Sequence, residues 1–314
     1  MIFRNTIRLL LSNFSNVWKV LVYYIICIAL TVAVCFTVAN PIISKLSEAG
    51  VFESLGNLIN SLLNSAPTTN VCSLNQIIDT SWQVLATNIQ FRFNYVFLIV
   101  WLVFVFPFTL DLAQLALGEV FYGFMTSQVK YGFTGRYIKN ISKSLLYTLV
   151  RYFVMLVFNV GTILLFVGII KLIALRTIGN IFLSVFVFAF TLCFIALKHT
   201  LFSCWMPAIA VLDGGVIKSL KQNFKCVFNK FPSIYSNFLS LVLTAFVINA
   251  IFGVFTFTVS IVVTLPLTAV VFVICQMVSY FSSQGMRFYV YQDVFISPKR
   301  VEEQDKITKL KYLI

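Results

Sequence analysis

Between Phe231 and Met286 the chain has no Asp, Glu, Lys, Arg or His. Roughly 20 apolar residues cross the ~30 Å hydrocarbon core of a bilayer, so a run nearly three times that long excludes a single span and requires a hairpin of two. Charge is scarce throughout: 11% of the 314 residues are charged, 60% are hydrophobic, mean hydropathy is +0.95 and Phe alone occurs 34 times. That composition excludes a water-soluble domain of this size. Histidine is nearly absent. His199, the sole one, has no second His, Cys-x-x-Cys or acidic cluster to complete a metal site, and beside Lys198 it reads as a cap near a helix end. There is no Walker glycine loop, Gly-x-Ser-x-Gly or His-Glu-x-x-His, and no nucleophile placed with an acid and a base. The sequence therefore offers no catalytic residue, cofactor site or metal site, and the expectation is a protein that is not an enzyme.

The seven cysteines form no framework either. Cys27, Cys35, Cys193 and Cys275 lie in apolar runs, Cys204 and Cys226 in a basic segment, and Cys72 alone in the largest polar loop, so they read as buried small hydrophobes. What the chain does have is basic charge, a net +13. It punctuates the gaps between apolar runs, where it sets orientation and meets anionic headgroups. No basic groove interleaved with aromatics accompanies it, so no nucleic-acid partner is expected. At the N-terminus Arg4 and Arg8 precede an apolar run ending in Thr37-Val38-Ala39. Val17–Ala39 is too long for a secretory h-region and reads as an uncleaved first helix.

A hydropathy window of about 19 residues predicts spans at Val17–Ala39, Asn94–Gly118, Leu146–Ile170, Ile178–Leu197, Ser236–Thr258 and Val262–Tyr289. The expected fold is all-α: a polytopic bundle of six transmembrane helices with amphipathic interfacial helices. With a cytoplasmic N-terminus, all but Lys45, Arg92, Lys171 and Arg176 of the 23 Lys and Arg residues fall inside, which puts both termini in the cytoplasm of a cell membrane, a bacterial plasma membrane by expectation. Residues 1–314 then form one integral membrane domain, with 40–93 as an external loop and 293–314 as a cytoplasmic tail. In that loop Val51, Phe52, Leu55, Ile59, Leu62 and Leu63 share one helical face. After a turn at Ser65–Asn70, Leu74, Ile77, Ile78, Trp82, Leu85 and Ile89 repeat the pattern, with Ser73 and Gln76 spaced as a capping box. Two amphipathic helices follow, either an interfacial hairpin or a lid over a site.

Basic amphipathic segments precede the odd-numbered spans. Tyr137–Lys143 leads to Arg151 and Val216–Lys221 to Lys230, with Phe3–Arg8 leading to Lys19 as a weaker copy. One offset pairs Lys139 with Lys218 and Arg151 with Lys230. The pattern fits three helical hairpins, 1–127, 128–200 and 201–292, like the parallel repeats of some transporters; basic residues recurring for orientation alone would look the same.

Asp111 is the foremost candidate. Counting about 1.5 Å per residue from Tyr95 places it about 24 Å into a ~30 Å core, near the inner boundary. Asp111, Gln114 and Gly118 share a face with Pro107, which frees a backbone carbonyl. The carboxylate is either functional or one half of a structural ion pair with Arg151, Lys198 or Arg287. The stripes Ser236-Ser240-Thr244 and Cys275-Ser279-Ser283 suit close helix packing, and Asn249 is a candidate buried donor. Lys218, Lys221 and Lys225 lie on a cytoplasmic elbow opposite Val216, Leu220, Phe224 and Val227. They are candidates for binding anionic headgroups or a protein partner.

The segment Ala208-Ile-Ala-Val-Leu-Asp213-Gly214-Gly215-Val-Ile-Lys-Ser-Leu-Lys resembles the linker of bacterial six-span membrane protein families, among them the membrane domain attached to some glycerophosphodiester phosphodiesterases. The likeness covers about Cys204 to Met286. The catalytic domain of those fusions has no counterpart in this sequence, so the resemblance implies no activity. Ala210, Asp213 and Gly214 also look like part of the coupling loop of ABC importer permeases, although Ala208 stands at that loop's acidic position and Pro232 comes too late. The sequence thus predicts a non-enzymatic membrane-embedded subunit or accessory factor. The alternative is a transporter or permease for a small or lipid-like solute, with the Asp111 stripe in its path.

Overall fold

Long apolar runs with few glycines satisfy their own backbone hydrogen bonds as helices, the only open-ended solution in hydrocarbon. The computed structural model describes residues 2–63, 77–84, 86, 89–129, 131–174, 178–212, 215–256, 260–291 and 294–296. The helices are α1 (Ile2–Ser12), α2 (Phe14–Glu48), α3 (Val51–Leu63), α4 (77–84), α5 (Ile89–Val100), α6 (Phe106–Ser127), α7 (Phe133–Lys139), α8 (Ile141–Ala174), α9 (Ile178–Leu201), α10 (Trp205–Leu212), α11 (Val216–Asn229), α12 (Phe231–Phe255) and α13 (Ile261–Gln284). A π-helical turn, Trp101–Val105, joins α5 to α6. Two short antiparallel strands follow, β1 (Phe288–Tyr289) and β2 (Phe295–Ile296), with Phe288 opposite Ile296. Among the described residues six stretches are long and apolar enough to span a bilayer: Phe14–Glu48, Phe91–Ser127, Ile141–Ile169, Phe182–Leu212, Phe231–Phe255 and Ile261–Gln284. The protein is an all-α, multi-pass membrane protein.

The ends differ from the hydropathy windows, because apolarity does not record where a helix is capped. α2 runs through Pro41 to Glu48, so the first residues of the 40–93 loop are helical. The last span stops at Gln284 rather than Tyr289. Gly285 adopts φ 65° there, and its N–H reaches the carbonyls of Phe281 and Ser282, a left-handed cap that glycine makes without a Cβ penalty. In the loop helices Phe52, Leu55, Ile78 and Trp82 point outward. The Ser65–Asn70 turn, Leu74, the Ser73–Gln76 box, Leu85 and the tail from 297 onward lie outside the described residues, as do the side chains of Ile59, Leu62, Leu63 and Ile89.

The chain forms two compact units, one of residues 1–25, 108–154 and 193–314 and the other of 26–107 and 155–192. In the first, α13 is the axis of the core: α1, α10, α11 and α12 all pack on it. α1 buries Asn5, Thr6 and Leu9; its Phe3 N–H donates to Asn237 Oδ1 at 3.2 Å and its Ser12 hydroxyl to the Val290 carbonyl at 3.0 Å. The small stripe Cys275-Ser279-Ser283 is buried, as close packing requires. Ser236, Ser240 and Thr244 are exposed instead, each hydroxyl donating to a carbonyl three or four residues back on α12. Asn249 accepts from Thr264, linking α12 to α13. Gly118 on α6 admits Met206 of α10 so closely that a Cβ there would sit 2.7 Å from its sulfur.

Among the described residues a short helix, a single-residue break and a long helix follow one another three times, with the breaks at Asn13, Asn140 and Lys230. The Asn13 and Asn140 carboxamides each donate to the carbonyl four residues back, Leu9 and Arg136, at 3.3 and 2.9 Å. These breaks set a register different from the basic pattern. Lys230 is the break itself, whereas Arg151 lies well inside α8. Basic residues mark an interface; the break marks the element.

In the second unit, Trp101 Nε1–H donates to Thr31 Oγ1 at 3.4 Å. The π turn has a local cause: Pro107 has no N–H for the Val103 carbonyl, and its ring would crowd that carbonyl, so the helix widens just before it and Phe106 N–H bonds back to Trp101.

Candidate functional site

The first unit gathers charge inside an apolar core. Asp111 sits on α6 among Leu112, Ala113, Leu115 and Ala116 and is fully buried. Thr148 and Arg151, three residues apart on α8, share the face that meets it. Thr148 donates its hydroxyl to Asp111 Oδ2 at 2.9 Å, and Arg151 Nη2 lies 2.8 Å from Oδ1. An unpaired carboxylate here would cost several kcal/mol; the guanidinium and hydroxyl offset that cost by engaging both oxygens. The Arg151 guanidinium lies 5.7 Å from the Tyr147 ring, which meets Trp205 edge-on at 5.0 Å. Trp205 Nε1–H then donates to the Val216 carbonyl at 3.0 Å. A chain of side chains thus runs from the buried carboxylate to the first residue of α11.

The surroundings of Arg151 are basic. Lys198 and His199, at the end of α9, both lie close enough to feel its charge, and His199 packs its ring on Phe272 at 4.6 Å. Gln114 is half-buried on α6, and Arg287 is exposed beyond the end of α13. The structure therefore places Asp111, Arg151 and Lys198 in one neighbourhood, while Arg287 stands on the turn into β1.

A second acidic residue lies just over two turns along α6. Glu119 Oε2 meets Arg136 Nη1 of α7 at 3.1 Å, and the guanidinium lies 4.0 Å above the Tyr131 ring. That ring fills the space a Cβ on Gly123 would need. The hydropathy window ended at Gly118, one residue short of Glu119, and so missed this clamp. Sequence reasoning missed Thr148 as well; its one signal is a place one turn before Arg151 on the same helical face.

On α11, Lys218, Lys221 and Lys225 are exposed. The buried face is Val216, Ser219, Asn223, Cys226 and Val227, with Leu220 and Phe224 only half-buried. The stripe is rotated from the apolar one because Asn223 draws its side of the helix inward. Its Oδ1 accepts from Cys204 N–H at 2.9 Å and its Nδ2 donates to the Leu201 carbonyl at 2.8 Å, satisfying the frayed end of α9. Ile217 and Phe228 remain 70% and 66% exposed. Phe224, Phe228, Phe231 and Tyr235 stack in succession at 6.3, 6.5 and 5.9 Å, carrying an aromatic ladder from the elbow onto α12.

Comparison with protein-family models, curated proteins and solved structures finds no match to this chain. Asp213 and Gly214, on which the coupling-loop likeness turns, lie outside the described residues. Among the described residues no three His, Cys, Asp or Glu side chains group to hold a metal.

Proposed function

We propose that the protein is a non-enzymatic membrane-embedded subunit or accessory factor of a bacterial plasma membrane, with both termini cytoplasmic and α11 resting on an anionic leaflet. The carrying observation is that the fully buried Asp111 has both carboxylate oxygens engaged by Arg151 and Thr148, which is how a packed bundle uses an intramembrane charge. α11 adds a surface. Its apolar flank of Ile217, Phe224 and Phe228 lies beside Lys218, Lys221 and Lys225, the pattern of an interfacial helix, with about 1 kcal/mol of attraction per lysine near an anionic surface.

The test is co-sedimentation and native mass spectrometry of reconstituted protein with anionic or neutral lipids. Replacing Lys218, Lys221 and Lys225 by Gln should remove retained anionic lipid while leaving the protein folded. Unchanged retention would shift this surface to a protein partner. The π-helical turn Trp101–Val105 favours a second reading, a transporter for a small or lipid-like solute, since such turns recur at functional positions. In that case Asp111→Asn would leave a stable protein without solute flux in vesicles. A structural pair makes the same change destabilising.

A further inference from the structure

The cysteines read from sequence as buried small hydrophobes include two that the fold brings together. Cys204 stands at the entry to α10 and Cys226 on the buried face of α11, and both are buried. Asn223, one turn before Cys226 on that face, holds the Cys204 N–H at 2.9 Å. Cys204 and Cys226 lie close enough to interact, and the Cys226 sulfur accepts from Gln284 Nε2 at 2.6 Å. Ser203 Oγ donates to the Cys204 sulfur at 3.7 Å. Gln284 is exposed, so the Cys226 sulfur lies just beneath the surface.

We propose that Cys204 and Cys226 form a reversible dithiol–disulfide site that fastens the start of α10 to α11. The neighbouring Cys204 and the hydrogen bond from Gln284 outweigh desolvation and hold the Cys226 thiol below its usual range, which favours the thiolate, the reactive form. A hydroperoxide is the oxidant. The Cys226 thiolate attacks one peroxide oxygen, the O–O bond breaks, and sulfenic acid forms with release of hydroxide, which takes up a proton. The Cys204 sulfur then displaces the sulfenic oxygen, forming the S–S bond and losing its own proton, with that oxygen leaving as water. Two thiols and one hydrogen peroxide give one disulfide and two waters, the two electrons passing to the peroxide; a dithiol reductant returns them. The bond fixes α11, the lysine-bearing elbow, against α10.

The experiment treats the full chain in nanodiscs with hydrogen peroxide, alkylates the remaining thiols and maps the digest by mass spectrometry. The expected result is one cross-linked peptide pair containing Cys204 and Cys226, loss of alkylation at both, and restoration by dithiothreitol. Cys204→Ser should leave Cys226 as a sulfenic acid captured by dimedone. Full alkylation of both cysteines after peroxide, or Cys226 bonded to a different cysteine, overturns the proposal. The wild-type cross-link decides the matter even if the variant does not fold.

Discussion

The two compact units are built from the same apolar residues but use them differently. The first wraps ion pairs and carboxamide staples in a buried core: Asp111 with Arg151, Glu119 with Arg136, Asn223 with the end of α9. The second turns much of its apolar surface outward. Phe36, Val157, Phe182 and Phe186 are all more than two-thirds exposed, and few of its described side chains are buried. In lipid, apolar surface alone gives helices little reason to associate; close packing and polar contacts provide it. The first unit has a specified internal geometry, while the second leaves much of its apolar surface exposed.

The largest expected effect breaks the first unit at its centre. Arg151→Leu strands the buried Asp111 carboxylate in an apolar core and should cost about 3 kcal/mol or more, read as a lower unfolding midpoint in mixed micelles. Asp111→Asn combined with Arg151→Leu should recover a large part of that loss. A single mutant as stable as wild type would remove the basis for distinguishing the units.

Next is Asn223→Leu. It frees a buried N–H at Cys204 and a carbonyl at Leu201, and about 2 kcal/mol is expected for the two together. Hydrogen exchange checks the location, since protection should fall at 201–205 and across α11 before it falls elsewhere. Uniform loss would mean that the staple is not local. Glu119→Gln is milder because Arg136 is partly solvated. It should cost about 1 kcal/mol and loosen α7 without disturbing α8, measurable as faster exchange confined to Phe133–Lys139.

The six spans were legible because hydropathy integrates over a helix length, and the elbow helices because basic and apolar residues alternate at helical spacing. Asp111 stood out as a carboxylate inside an apolar run, and Arg151 was among the three bases in reach. The partner itself was not legible, because choosing among Arg151, Lys198 and Arg287 depends on how α6, α8, α9 and the end of α13 meet. Glu119 escaped because the apolar window closed before it. Asn223 was hidden on what reads as the polar side of α11; only the frayed end of α9, a tertiary feature, makes that carboxamide an interior residue. The Gly285 cap shows the same limit from the other side: hydropathy carried the last span to Tyr289, and one left-handed glycine ended it at Gln284.

The smallest expected effect is the one that defines the second unit. Phe186 is 69% exposed on α9. If that face meets only acyl chains, Phe186→Leu exchanges one apolar surface for another and should change stability by less than about 0.5 kcal/mol in nanodiscs, with the oligomeric state unaltered. If the face receives another protein, an aromatic side chain at its centre is the kind of anchor that interfaces depend on, and the same change should loosen the assembly in blue-native electrophoresis of membranes while the isolated chain stays folded. A neutral result in both settings leaves the second unit as lipid-facing surface. A selective loss of assembly makes it the docking face that a membrane-embedded subunit needs, and the contrast between the units becomes one of stability against recognition.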